Sequence, residues 1–235
     1  MEKNWLQRGE LLLGAEKQQR LACAHIMVVG LGGVGSWAVE MLCRAGVGSF
    51  TIIDADEVDV TNVNRQMPAL ASTVGLPKCD VVAARLREIN PRVQLRVERV
   101  FVGEENIPQL FADASVDFVV DAIDTLPSKG ALIKYCWEQG IRIVSSMGAG
   151  AKMNLADIRE GDFWKSEHCT LAKNLRRLLR DYRGRYRLPV VYSCEPPRTA
   201  AIRSNPCGGK PIIGSLGYFT AAFGCHLAEY VIKEL

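Results

Sequence analysis

Between His25 and Asp54 the chain reads apolar run, glycine turn, helix, apolar run, acid, and few architectures accept that order. The run His25-Ile26-Met27-Val28-Val29 leads into Gly30-Leu31-Gly32-Gly33-Val34-Gly35. Ser36 to Ala45 has helical periodicity, and Phe50-Thr51-Ile52-Ile53 stops at Asp54. Strand, turn, helix and returning strand make a βαβ unit. Gly30, Gly32, Gly33 and Gly35 let the backbone turn tightly and approach a phosphate. The following helix N-terminus adds unpaired N–H groups and a partial positive charge. Asp54 lies 19 residues past Gly35, where a carboxylate can accept hydrogen bonds from ribose hydroxyls.

A nicotinamide oxidoreductase would satisfy that much. The next residues favour a polyphosphate: Asp56 close to the turn, Asn64-Arg65-Gln66, and Val74-Gly75-Leu76-Pro77-Lys78. Arg65 offers a planar fork and Lys78 a point charge to phosphate oxygens, with Asn64 beside them. Asp124, in Asp121-Ala122-Ile123-Asp124, offers a hard oxygen ligand to magnesium, against the plainer reading of a helix cap. Asp121 ends an apolar strand and reads as a cap for backbone amides.

Strand and helix patterns alternate from Ile26 to Gly150. Helices are expected at Leu76–Ile89, Glu104–Phe111 and Lys129–Gln139, and strands at Val93–Val100, Val116–Val120 and Ile141–Ser145. This is an α/β, Rossmann-like, doubly wound fold with a mostly parallel sheet and helices on both faces. Its ligands sit at the carboxyl ends of strands, where Gly30, Asp54 and Asp124 all fall. One domain over residues 1–235 is expected. It has an N-terminal helical segment (1–24), a nucleotide-binding core (25–150) and a substrate-facing part (151–235).

Cysteines at 23, 43, 79, 136, 169, 194, 207 and 225 are scattered and form no CxxC pair, so no structural zinc site is expected. With a polar start and no leader pattern, they read as reduced thiols in the cytoplasm. Cys194 follows a strand with Glu195 and two prolines behind it, nothing there would stabilise a thiolate, and Cys169 and Cys207 have no better claim to catalysis. The apolar run Ile212–Ile232 is about long enough to cross a bilayer, but its glycines, His226 and Glu229 favour a buried strand, turn and helix.

The character changes after Lys152. Ala156-Asp157-Ile158 reads as a short strand and Val190–Ser193 as another. Lys165–Arg187 holds eight basic residues and two acids, a net of +6 in a chain whose total is only +3. A leucine stripe gives it helical character, and Tyr182 and Tyr186 alternate with the arginines. It is either a solvated helix face or a contact for an RNA backbone.

The order of glycine turn, Asp54, Asn64-Arg65, Lys78 and Asp124 resembles the adenylating superfamily of ubiquitin-activating, thiamine and molybdopterin enzymes. The finer resemblance is to the tRNA threonylcarbamoyladenosine dehydratases. It rests on Gly46-Val47-Gly48, Asn64-Arg65-Gln66, Asp121-Ala122-Ile123-Asp124 with Lys129 and Tyr135-Cys136, and Val191-Tyr192-Ser193 with Glu195 and Gly214-Ser215-Leu216-Gly217. The resemblance implies a homodimer using ATP and magnesium. Arg8, about two dozen residues before the glycine turn, would reach into the partner subunit's ATP site. It also implies a reaction: adenylation of the threonylcarbamoyl carboxylate on adenosine 37 of tRNA, then ring closure with loss of AMP. Catalysis would fall to Arg8, Arg65, Lys78 and Asp124, and a sulfur-relay protein is a further partner the family suggests. The competing readings are adenylation of a small sulfur-carrier protein's C-terminal glycine, and nucleotide binding without catalysis.

Overall fold

In the computed structural model, which describes residues 4–112, 115–205 and 211–235, the run starting at His25 forms the middle of the sheet. Two short helices precede it, α1 (Gln7–Leu13) and α2 (Ala15–Cys23), where one helical stretch over 4–20 was expected. Gly14, at φ 82°, separates them, a conformation that side chains resist. Leu13 packs partly buried against the core, while Leu11 and Leu12 stay 82% and 85% exposed on α1.

The core alternates β1 (His25–Val29), α3 (Gly35–Arg44), β2 (Ser49–Ile53), α4 (Lys78–Ile89), β3 (Gln94–Glu98), α5 (Ile107–Phe111), β4 (Phe118–Asp121), α6 (Leu126–Glu138) and β5 (Ile143–Ser146). Helix α4 starts two residues later than expected. Pro77 lies just ahead of it, and Glu57 forms a bridge to Pro77 that holds the preceding stretch extended. Helix α6 starts three residues earlier than expected, with Pro127 in its first turn, where proline's missing N–H costs nothing.

The remaining elements are β6 (Ile158–Asp162), α7 (Thr170–Leu178), β7 (Pro189–Ser193), the two-residue strands β8 (Ile202–Arg203) and β9 (Ile212–Ile213), and α8 (Gly217–Glu234). Residues 155–157 form a tight helical turn, and the strand expected there begins at Ile158. Only Thr170–Leu178 of the basic segment is α-helical. Among the described residues no helix is long and apolar enough to cross a membrane.

The sheet order is β3-β2-β1-β4-β5-β7-β6, parallel except for the edge strand β6, which runs antiparallel to β7. Order reverses between β1 and β4, and a crevice opens there past the strand ends. Side chains of β1 divide by face. Ile26 and Val28 join Phe50, Leu42, Phe219 and Phe223 on one side; Met27 and Val29 join Ile133, Trp137, Phe163 and Leu175 on the other. Two buried layers hold the sheet, as expected for strands covered on both faces.

Candidate active site

Five segments meet in the crevice. The cavity they enclose, about 1160 Å³, is lined by Gly30, Gly32 and Gly33, by Asp54 and Asp56, by Asn64 and Arg65, by Lys78, and by Asp124. Gly35 and Arg8 are the two expected site residues that do not line it. Gly35 acts one layer down, since a Cβ there would collide with the carbonyl of Gly30. Arg8 lies exposed on α1.

The glycine turn is fixed by what it touches. Gly30 has φ 90°, and a Cβ there would sit 2.8 Å from the carbonyl oxygen of Ala122. The turn therefore packs against the loop that carries Asp124. Asp54 ties the other side, accepting from the Leu31 N–H at 2.6 Å and the Asp56 N–H at 2.8 Å. Burial holds the Asp54 carboxyl above the ordinary aspartate range, only partly offset by the Lys78 charge and those two N–H groups. Lys78 is nearly buried, and its ammonium meets Asp56 Oδ2 at 2.7 Å. Arg65 Nη1 donates to Thr61 O at 2.8 Å and to Asn64 Oδ1 at 2.9 Å, and Asn64 Nδ2 donates to Ser215 O at 2.9 Å.

Gln66 was read only as part of the Asn64-Arg65-Gln66 stretch, and Ser128 and Thr220 were not read at all. Gln66 Oε1 and Ser128 Oγ are buried with no hydrogen-bond partner among the described residues, and both belong to the cavity wall. Buried polar atoms want partners, and a polar ligand would supply them. Thr220, on the apolar α8, reaches the wall beside Gly33. Ser146–Gly150 and Ile212–Ser215 close the side opposite Lys78's loop.

The carboxylates suit a hard cation. Magnesium takes one or two carboxylates, keeps several waters and uses phosphate oxygens, and Asp124 is the lining carboxylate that could hold it.

None of the described cysteines lines the cavity, and Cys207 lies outside the described residues. Near Cys194, Lys152 is buried, which pushes its ammonium pKa down, and its Nζ donates to Ser193 O at 2.7 Å. Cys169 Sγ caps α7, accepting from Gly148 N–H at 3.3 Å and Ala172 N–H at 3.4 Å.

The basic segment divides. Arg176 turns inward, its Nη1 donating to Phe163 O and Ser166 O at 3.0 Å and meeting Ser166 Oγ at 2.8 Å. Lys165, Lys173, Arg177, Arg180, Arg183, Arg185 and Arg187 are exposed. Tyr186 stacks on Trp137 with centroids 5.3 Å apart and 8° between planes, and Tyr182 Oη donates to Glu138 at 2.6 Å. Leu171 carries this segment to the cavity wall.

Comparison with known proteins agrees with this geometry. The ThiF family matches residues 6–235. The chain is 38% identical to the tRNA threonylcarbamoyladenosine dehydratase of Escherichia coli, over 95% of this chain and 90% of that one. It is 41% identical to the Bacillus subtilis enzyme of the same name, over 81% and 74%. The crystal structure of the Escherichia coli enzyme in complex with ATP superposes with a TM-score of 0.88 at 37% identity, covering 97% of this chain and 92% of that one.

Proposed function

The chain belongs to the ThiF family, and on that premise we propose that it is an ATP-dependent dehydratase of threonylcarbamoyladenosine in tRNA, acting at position 37. The observation that carries the reading is the single cavity in which the glycine turn, Asp54, Asn64-Arg65, Lys78 and Asp124 converge from separate segments. We read residues 1–235 as one adenylating domain, supported by β7 and α8 completing the sheet and core begun by residues 25–146.

The chemistry follows from the leaving group. A carboxylate resists attack because hydroxide leaves poorly; attacking the α-phosphate of ATP, it expels pyrophosphate and is joined to AMP, a good leaving group. Asp54 accepts from the ribose hydroxyls and orients the nucleotide. The N–H groups of the glycine turn and α3 face the phosphates. Arg65 and Lys78 neutralise charge that builds as the α-phosphate is attacked. Asp124 would hold magnesium, which when bound polarises the phosphate oxygens. Ring closure then comes from within the same side chain, so proximity replaces a protein nucleophile. That agrees with a cavity wall that contains no described cysteine.

Arg8 completes the site from a second copy. It is supported by its place on α1, outside the cavity, on the helix that leaves Leu11 and Leu12 uncovered. The exposed cations and stacked rings of residues 165–187 support the tRNA contact.

The test is mass spectrometry of tRNA nucleosides after incubation with ATP and magnesium. Loss of one water from threonylcarbamoyladenosine, with AMP formed, is expected. Unchanged tRNA, together with adenylation of a carrier protein's C-terminus, would replace this reading.

A further inference from the structure

Asp121 does more than cap its strand. Its carboxylate is fully buried and meets Lys129 Nζ at 2.7 Å, Ser145 Oγ–H at 2.6 Å and the Ile123 N–H at 3.1 Å. Lys129 is fully buried too, and its Nζ also donates to Ile123 O at 3.0 Å. Ile123 is therefore gripped at both backbone groups, by the acid at its N–H and by the lysine at its carbonyl. Ile123 is the residue before Asp124. On the residue before it, the Ala122 carbonyl lies against Gly30, and the Ala122 N–H donates to Val29 O at 2.8 Å.

A buried ion pair is a poor way to gain stability, because desolvating two charges consumes most of their attraction and apolar residues often serve as well. Here the pair sits at the switch point of the sheet and ties the end of β4 to the first turn of α6. Ser145 extends it to β5, whose next residues, Ser146 and Met147, line the cavity. The pair thus links the β4 end that carries Asp124 to the β5 end that forms the opposite wall.

We propose that Asp121, Lys129 and Ser145 are positioning residues for the adenylation step: they lock the 122–124 turn so that Asp124 presents its carboxylate to the magnesium-bound nucleotide. This rests on reading Asp124 as the residue that meets that nucleotide. The three do not touch substrate; they act through Ile123.

The experiment uses the full chain and four variants. Ser145→Ala removes one hydrogen bond and leaves the pair. Lys129→Arg keeps the charge. Lys129→Met removes it, and Asp121→Asn with Lys129→Met removes both charges without stranding either. Each is measured for thermal midpoint, for ATP affinity by calorimetry with and without magnesium, and for turnover with tRNA. Partners that orient a ligand set typically control affinity or activity by about 10- to 100-fold. The folded double variant is expected to bind ATP without magnesium about as the parent does. It should lose about tenfold or more of the affinity gained on adding magnesium, and a similar factor in kcat, with KM for tRNA unchanged. Lys129→Arg should recover most of this, and Ser145→Ala should fall between. If Lys129→Met or the double variant fails to fold, Ser145→Ala carries the same comparison. A folded variant whose magnesium gain matches the parent's, with kcat falling only as the folded fraction falls, overturns the proposal. A parent whose ATP affinity ignores magnesium overturns the reading of Asp124 instead.

Discussion

The nucleotide crevice and the basic segment 165–187 are built from opposite kinds of information. In the crevice each polar residue is set by backbone geometry: Asp54 bonds two N–H groups of the loops it must hold, and Gly30 and Gly35 leave no room for a side chain. In the basic segment the charges are plain and their tasks are not. Arg176 and Arg177 are neighbours in sequence, yet the first anchors Phe163 and Ser166 and the second faces solvent. A site made of backbone approaches can be read from spacing. A surface made of long flexible cations has to be sorted by where each head group ends.

That contrast can be broken most forcefully at Lys78. Lys78→Ala should lower kcat by about 10²- to 10³-fold, the usual loss when one preorganised donor to developing charge is removed. Affinity for tRNA, measured by filter binding, should not change. A matching loss of tRNA affinity would mean that the two regions are one.

The next effect separates the arginines. Arg176→Ala should cost about 2 kcal/mol of stability through its lost charge-assisted hydrogen bonds, seen as a thermal midpoint lower by about 4–8 °C. Replacing Arg177, Arg180 and Arg185 by Ala should leave the midpoint in place and weaken tRNA binding at low salt. The slope of log affinity against log salt should flatten by about one unit per lost phosphate contact. An Arg176→Ala variant that keeps its midpoint and loses tRNA affinity would reverse the assignment.

The smallest effect is in pH. Burial holds the Asp54 carboxyl above the ordinary aspartate value of about 3.9, so it begins to protonate earlier on acidification than an exposed aspartate. Protonation removes an acceptor for ribose. ATP affinity should therefore begin to fall on acidification at a higher pH than an ordinary aspartate would dictate, and by more in the parent than in Asp54→Asn, which has nothing to titrate there. The arginines stay charged throughout, so tRNA binding through them should not follow that fall. Calorimetry for ATP and filter binding for tRNA give the two profiles.

Much of the crevice was legible because its parts lie close in sequence to periodic elements. Gly30, Asp54, Lys78 and Asp124 each follow or begin a strand or helix whose apolar pattern is unambiguous. What escaped depended on distant partners. Asp121 looked like a cap because the residue that gives it meaning, Lys129, sits on the next helix, and Ser145 on the next strand. Thr220 was invisible for the same reason. The basic segment read as one helix because its leucines repeat well. Residues 179–187 instead leave the helix, and Tyr182 and Tyr186 pack beside Trp137. Helix α1 was legible as a helix but not as an uncovered one, since a pattern shows an apolar side and not what meets it.

Helix α8 lies against α3, with Thr220 beside Gly33, Gly217 against Asn64 and Gly224 against Val34 and Trp37. A ribosome makes the glycine turn, Asp54 and Lys78 long before it makes that helix. Until residues 217–224 have left the exit tunnel, the turn has no backing and the Asn64-Arg65 loop has no neighbour. Sheet pairing is staggered as well: one edge of β1 meets the nearby β2, while its other edge waits for β4, about ninety residues on. Competence for ATP therefore does not grow with chain length; it requires residues 217–224 to have joined the stretch between Gly30 and Lys78.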